Sequence, residues 1–262
     1  MHDFDFVRPQ TVSDAVRALA TPDAQALSGG QTLLPAMKVR LAAPAVLVSL
    51  MHIPDMVFVR ADGDVLRVGG ATTHAQVARE AAGAYPALAS LAARIGDPAV
   101  RSRGTIGGSL ANNDPSACYP AGVLASNATI VTDRREIGAD DFFQGMFTTA
   151  LEEGEIVVEV RFPIPDAARY EKFIQPASRF PLTAAFVARH SGGARVAITG
   201  ASESGVFRWH EAEVALTSDF AVQALDGLAV DADGMIADLH GSSAYRAHLA
   251  GVMTRRAVAA IV

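Results

Sequence analysis

Arg101-Ser102-Arg103-Gly104-Thr105-Ile106-Gly107-Gly108-Ser109-Leu110-Ala111-Asn112-Asn113-Asp114-Pro115 is the stretch that decides how this chain is read. Gly104, Gly107 and Gly108 stand within five residues. Glycine accepts positive φ and lets a backbone approach a ligand closely. Successive N–H groups in such a loop form a concave anion site. Arg101 and Arg103 precede it, and Asn112, Asn113 and Asp114 follow with groups that can hydrogen-bond a nucleotide. Pro115 stops any regular element.

A second stretch of the same kind comes earlier. Ser28-Gly29-Gly30-Gln31-Thr32 leads into Leu33-Leu34-Pro35-Ala36-Met37-Lys38-Val39-Arg40-Leu41. Two glycine turns with hydroxyl neighbours can face one diphosphate from two sides. Taken singly, either also reads as an ordinary tight turn. A bulky residue at Gly30 or Gly107 is expected to fill the space of the diphosphate and abolish its binding.

The chain has 262 residues, enough for one large domain or two to three smaller ones. Half of the residues are hydrophobic and 19% are charged, which is the composition of a globular protein. The net charge of -6 disfavours nucleic-acid binding, so an anion would be held by local N–H groups and arginines. Cys118 is the only cysteine. It allows no intrachain disulfide, which suits the cytoplasm, and it cannot hold an iron–sulfur cluster alone. The start of the sequence lacks a signal-peptide pattern, and no apolar run is long enough for a transmembrane segment.

Along the chain, Thr11 caps a helix carrying Val12, Ala15, Val16 and Leu19 at helical spacing. Ala24–Leu27 reads as a strand into the first glycine turn, Leu33–Val39 as a short helix, and Ala45–Leu50 as a strand. Asp62-Gly63 marks a hairpin between Val57–Val59 and Val65–Val68. Thr72-Thr73-His74 starts a helix to about Ala82. Pro86–Ile95 is a second helix, stopped by Gly96 and Pro98, with the glycine loop after it. Ala121–Ala125 is helical, and Ala128–Thr132 and Glu155–Phe162 are strands. Beyond Pro163–Ala168, Tyr170–Ile174, Leu182–Arg189 and Arg195–Thr199 read as strands. Trp209–Thr217 and Ala221–Leu225 read as helices, and Tyr245, Leu249 and Val252 make the apolar face of a final helix.

Ser28–Leu41 resembles the "AGGxSLLPxMKxRL" loop of the FAD-binding medium subunits of molybdenum hydroxylases, and Arg103–Pro115 resembles their "RGTIGGNxAxxDP" loop. The resemblance is closest to carbon monoxide dehydrogenase-like members, and continues through "DDFFxGxFxTxLxxGEIVxEVxxP" and the C-terminal segments. It implies an α+β fold. A two-lobed FAD-binding domain, with a small α/β lobe (1–54) and a mostly antiparallel-sheet lobe (55–165), precedes a smaller C-terminal α+β domain (166–262). It implies FAD in this chain, with the molybdenum cofactor in a large partner subunit and 2Fe-2S clusters in a small one. A dimer of heterotrimers is the expected assembly. The implied role is electron transfer from those clusters to an external acceptor, with no catalytic side chain nominated.

By the same resemblance, Ser28, Gly29, Gly30, Gln31 and Thr32 match the first diphosphate loop, and Thr105, Ile106, Gly107, Gly108 and Ser109 the second. Asp114 matches the aspartate of the "DP" step and equally reads as a turn cap. Ile156, Val157 and Lys172 lie where the family lines the flavin ring, although Lys172 also reads as a solvated strand lysine. Cys118 departs from the pattern by standing where many relatives carry an aspartate to the adenosine part of FAD, and cysteine is a weak hydrogen-bonding group. Asn112, Asn113 or Ser116 would then substitute. An FAD-free scaffold subunit and a stand-alone flavin oxidase are the competing readings. Gly69-Gly70 lacks Rossmann spacing, there is no P-loop, and the seven histidines form no metal-ligand spacing. His74 reads as a surface or capping histidine, and Arg255-Arg256 as a solvated pair.

Overall fold

A computed structural model describes residues 1–262. The first unit is a three-stranded parallel sheet of β1 (Asp5–Val7), β2 (Ala24–Leu27) and β3 (Val46–Ser49), in the order β1-β3-β2. Parallel neighbours need crossovers, and α1 (Val12–Leu19) and α2 (Leu33–Lys38) supply them. Thr11 caps α1: its Oγ1 accepts the Asp14 N–H at 3.1 Å and donates to the Asp14 carboxylate at 2.8 Å. Ala15, Val48, Leu50 and Ile53 pack together with Met56, Ala71 and Ile156 of the next unit, so the two lobes share a core cluster.

The second unit holds β4 (Val59–Asp62), β5 (Val65–Gly69), α3 (His74–Glu80), α4 (Pro86–Ala93), α5 (Pro98–Arg103), α6 (Ile106–Asn112), α7 (Tyr119–Ala125), β6 (Thr129–Thr132), β7 (Glu136–Gly138), α8 (Ala139–Phe142), β8 (Phe143–Gly145), β9 (Thr148–Thr149) and β10 (Val157–Pro163). Its main sheet runs β4-β5-β10-β6-β7 and is antiparallel throughout. Leu66, Val68, Ile130, Val160 and Phe162 bury one face of it against α3, α4, α6 and α7. The helix before Gly96 and Pro98 stops as expected, at Ala93, and Pro98 then opens α5, because Asp97 accepts the Val100 N–H at 2.9 Å and proline is at ease in a first turn. One expectation needs correcting. The glycine stretch is not an open loop: Ile106–Asn112 is helical, capped by Thr105, because tertiary contacts described below override the poor helix propensity of glycine.

The third unit is an antiparallel meander of β11 (Ala167–Ile174), β12 (Pro181–His190), β13 (Gly193–Ser202) and β14 (Gly205–Arg208). Alternation assigns its faces. Ala184, Phe186 and Ala188 join the core of the second unit, while Ala185 and Val187 join a core under α9 (His210–Ser218) and α10 (Ser243–Ala259). Burial on both faces explains why β12 reads as an almost continuous apolar run. The predicted face of the last helix is shifted. Tyr245 is exposed and Val252 only half-buried, whereas Arg246, Leu249, Ala250, Met253 and Ala257 are buried. Arg255 is not solvated as expected; it donates to the Leu225 carbonyl at 2.6 Å. No helix is long and apolar enough to cross a membrane.

Arg246 is the cation that ties this unit together. Its Nη1 donates to the carbonyls of Leu182 and Gly200 at 2.7 Å each, and its Nη2 to Asp238 at 2.7 Å. Arg246→Met is expected to lower stability by about 3 kcal/mol, since it leaves buried acceptors without donors. Urea denaturation of both proteins measures the difference.

Candidate functional site

The first glycine turn leaves β2 and enters α2. Gly30 sits at φ 70°, a left-handed conformation that favours glycine. The backbone N–H groups of Gly29, Gly30, Gln31 and Thr32 donate to nothing within the chain. Four successive unpaired donors around a turn need an acceptor from outside, and they are suited to an anion.

The second stretch behaves differently. The Ile106 N–H donates to the Thr72 carbonyl at 3.1 Å, Gly107 to Gly70 at 2.9 Å, and Gly108 to the Thr105 hydroxyl at 3.2 Å. Its donors are therefore engaged, and glycine serves clearance. A Cβ at Gly107 would lie 2.6 Å from the Gly70 carbonyl oxygen, and one at Gly104 would lie 2.5 Å from His74 Nε2. A Cβ at Gly29 would overlap the Arg103 carbonyl, so the two turns touch backbone to backbone. Ser28 Oγ and Thr105 Oγ1 close the contact with a 2.7 Å hydrogen bond. A Cβ at Gly30 would meet Leu34 Cδ1 at 2.8 Å and one at Gly107 the Gly70 carbonyl at 2.6 Å, so a steric cost within the chain adds to the expected loss of ligand space.

Both turns open onto one cavity of about 830 Å³. Ser28, Gly29, Gly30, Gln31, Thr32, Thr105, Gly107, Gly108, Ser109, Asp114, Cys118, Ile156, Val157 and Lys172 all line it, together with Asn112 and Ser116. Ile106 does not; its side chain is fully buried in the core of the second unit. Asp114 lines the cavity while its carboxylate accepts the Ser116 N–H at 2.8 Å, so the turn-capping role is present. Asn113 is committed elsewhere. Its side-chain amide donates to the carbonyls of Gly145 and Thr148 at 2.7 and 2.8 Å.

The titratable groups on the wall were the least legible part. Lys172 is not solvated: it is 6% exposed, and its Nζ donates to the Arg94 carbonyl at 2.8 Å and to Cys118 Sγ at 3.6 Å. Burial pulls its pKa below the ordinary lysine value. His74 is neither a surface residue nor a capping one. Thr73 caps α3, while the His74 ring is buried on the cavity wall against Tyr119, with Nδ1 unpartnered. Burial, helped by the nearby Arg101 charge, holds its pKa at about 4, so the imidazole is neutral at pH 7. Glu155 at the edge is held to about 2, first by the Arg135 hydrogen bond. Arg179, Phe180 and Pro181, which carry no motif signal, also line the cavity. No group of three or more His, Cys, Asp or Glu side chains is placed to hold a metal ion.

Residues 2–165 match the family described as the FAD binding domain in molybdopterin dehydrogenase. The chain is 35% identical to the carbon monoxide dehydrogenase medium chain of Afipia carboxidovorans, covering 97% of this chain and 95% of that one. It is 32% identical to the nicotine 6-hydroxylase medium subunit of Paenarthrobacter nicotinovorans, with the same coverage of both. Among solved structures, reconstituted CO dehydrogenase from Oligotropha carboxidovorans superposes with a TM-score of 0.90 at 33% identity, covering 98% of this chain and 97% of the other.

The backbone contact between the turns predicts a specific sensitivity. Gly29→Ala is expected to cost about 2–3 kcal/mol, because the methyl group meets an immovable carbonyl. Gly83→Ala, at a glycine whose Cβ would meet nothing within 4 Å, is expected to stay within about 0.5 kcal/mol of the parent. Chemical denaturation of the pair provides the comparison.

Proposed function

This chain belongs to the family of FAD binding domains in molybdopterin dehydrogenases, and on that premise we propose how its cavity serves an oxidoreductase complex. The chain is the FAD-binding, medium-type subunit of a heteromeric molybdenum hydroxylase. It passes electrons from iron–sulfur clusters of a partner subunit to an external acceptor. The carrying observation is the row of four unpaired N–H groups from Gly29 to Thr32, opening onto a cavity of about 830 Å³. That donor set suits the diphosphate of FAD, and the volume suits an extended nucleotide.

FAD supplies the redox chemistry when bound, and the protein supplies binding, orientation and electrostatics. In this reading the Gly29–Thr32 amides hold the diphosphate. Thr105, Gly107, Gly108 and Ser109 fix the wall opposite, more by packing than by donation. Ile156 and Val157 give an apolar surface for the ring, and Lys172 and Cys118 give it a polar edge. Asp114, Asn112 and Ser116 offer groups to the sugar hydroxyls. Ile106 contributes only through the core. We propose three units, residues 1–54, 55–165 and 166–262, each built on one of the three larger sheets.

The single cysteine leaves every iron–sulfur cluster to a partner. We accordingly propose a large molybdenum-cofactor subunit and a small 2Fe-2S subunit as partners, a dimer of heterotrimers as the assembly, and the cytoplasm as the location.

The visible spectrum of the purified chain, with released cofactor identified by chromatography, tests this reading. Bound FAD that dithionite reduces, without substrate turnover by the chain alone, is the expected result. A chain that stays colourless in excess FAD would sink it, and turnover by the isolated chain would favour a self-sufficient oxidase.

A further inference from the structure

Lys172 is one of only two lysines in the chain, against twenty arginines. It stands on β11 with its side chain in the cavity wall. An ammonium group has three donors. Lys172 spends one on the Arg94 carbonyl at 2.8 Å and one, weakly, on the Cys118 sulfur at 3.6 Å. No carboxylate lies within ion-pair distance of it. Glu171, next to it on β11, pairs instead with Arg169 at 2.8 Å and Arg94 at 3.6 Å. Arg94 and Arg101 act against its charge, and the Cys118 sulfur is the one side chain beside it that favours that charge. Arg101 is itself turned to the Ile95 and Gly96 carbonyls at 2.9 Å. A buried ammonium beside two guanidinium groups, answered by a sulfur and by no carboxylate, is an expensive arrangement.

We infer that Lys172 is an anion receptor that this chain leaves without a carboxylate partner, with Cys118 in that place, until a flavin nucleotide supplies the negative charge. This rests on the FAD reading above. The nucleotide offers two anionic sources, its diphosphate and the charge its ring gains on reduction. Either closes the third donor of Lys172. The arrangement is a trade of unliganded stability for ligand affinity.

The trade has a signature that a merely structural lysine lacks. In the unliganded chain, Lys172→Met removes the buried charge, and Cys118→Asp supplies a carboxylate where the thiol now meets the ammonium. Each is expected to raise the melting temperature by roughly 3 °C. The sign with pH follows from burial. The folded pKa lies below the ordinary 10.5, so the unfolded chain binds the proton more tightly between those values. Stability of the unliganded chain therefore rises with pH through that window, and the Met variant lacks this rise.

The experiment is thermal melting of the unliganded full chain and its two variants, with FAD and riboflavin titrations and the flavin potential measured on the same samples. Lys172→Met is expected to weaken the affinity for FAD in one redox state or both by about tenfold. Equal weakening of both states, with riboflavin unaffected, identifies the diphosphate. Weakening of the reduced state alone, seen as a potential about 30 mV lower for a two-electron couple, identifies the ring. Parent affinity in both states, or a lower melting temperature in both variants, would overturn the inference while leaving the FAD reading intact. Failure of the parent chain to take up FAD at all would overturn that reading, and the inference with it.

Discussion

The structure depends on two places where backbone touches backbone without a side chain between. Gly29 lies against the carbonyl of Arg103, and Gly107 against that of Gly70. The Gly29 contact, with the Ser28–Thr105 hydroxyl pair beside it, fixes the first lobe on the second, and the Gly107 contact seats α6 within the second. The Gly29 contact also fixes the direction of the unpaired N–H groups of the first turn, since that turn cannot rotate without driving into its neighbour. The short α6 is held the same way, from outside, by the Thr72 and Gly70 carbonyls that accept its first amides. Ligand-binding geometry is thus a by-product of interlobe packing, and the shared cluster of Ala15, Ile53, Met56, Ala71 and Ile156 gives that packing its hydrophobic support.

Much of the fold was legible because the deciding signals are local. The Thr11 and Thr73 caps, the Asp62-Gly63 hairpin and the apolar run of β12 all act within a few positions. What was not legible came from tertiary context. Gly30 and Gly107 look alike in sequence, yet one meets a dihedral demand and the other a steric one. No reading of neighbours along the chain separates those reasons. The cavity wall was misread for the same cause. Lys172 and His74 are polar residues beside polar neighbours, and only the approach of α4 and α7 across many residues takes them out of water.

Charge is handled in two ways. Over the outer sheet surfaces it is paired: Glu159 receives Arg67 at 2.6 Å and Arg161 at 3.1 Å, and Arg161 continues to Glu136 at 2.7 Å. The Arg67 hydrogen bond, chiefly, pulls the Glu159 pKa below its usual range. Arg208 closes similarly on Glu213 at 2.6 Å. Such partly exposed pairs contribute modestly each. At Lys172, inside the cavity, the rule is reversed. Lysine, whose proton affinity yields to burial, stands where an arginine would carry a permanent charge.

Asn113 carries a consequence for which residues its position can accept. It ends α6 in a left-handed conformation, φ 41°, and from there its amide reaches the Gly145 and Thr148 carbonyls while its own carbonyl receives the Phe147 N–H at 3.0 Å. Glycine would keep the backbone and lose both side-chain donors. Glutamine would keep the donors and strain the backbone, and aspartate would tolerate the backbone but present acceptors to acceptors. Two independent demands, one conformational and one chemical, intersect in a single residue type. Drift at position 113 is therefore closed off on both sides, and the β8–β9 hairpin inherits its placement from that one asparagine.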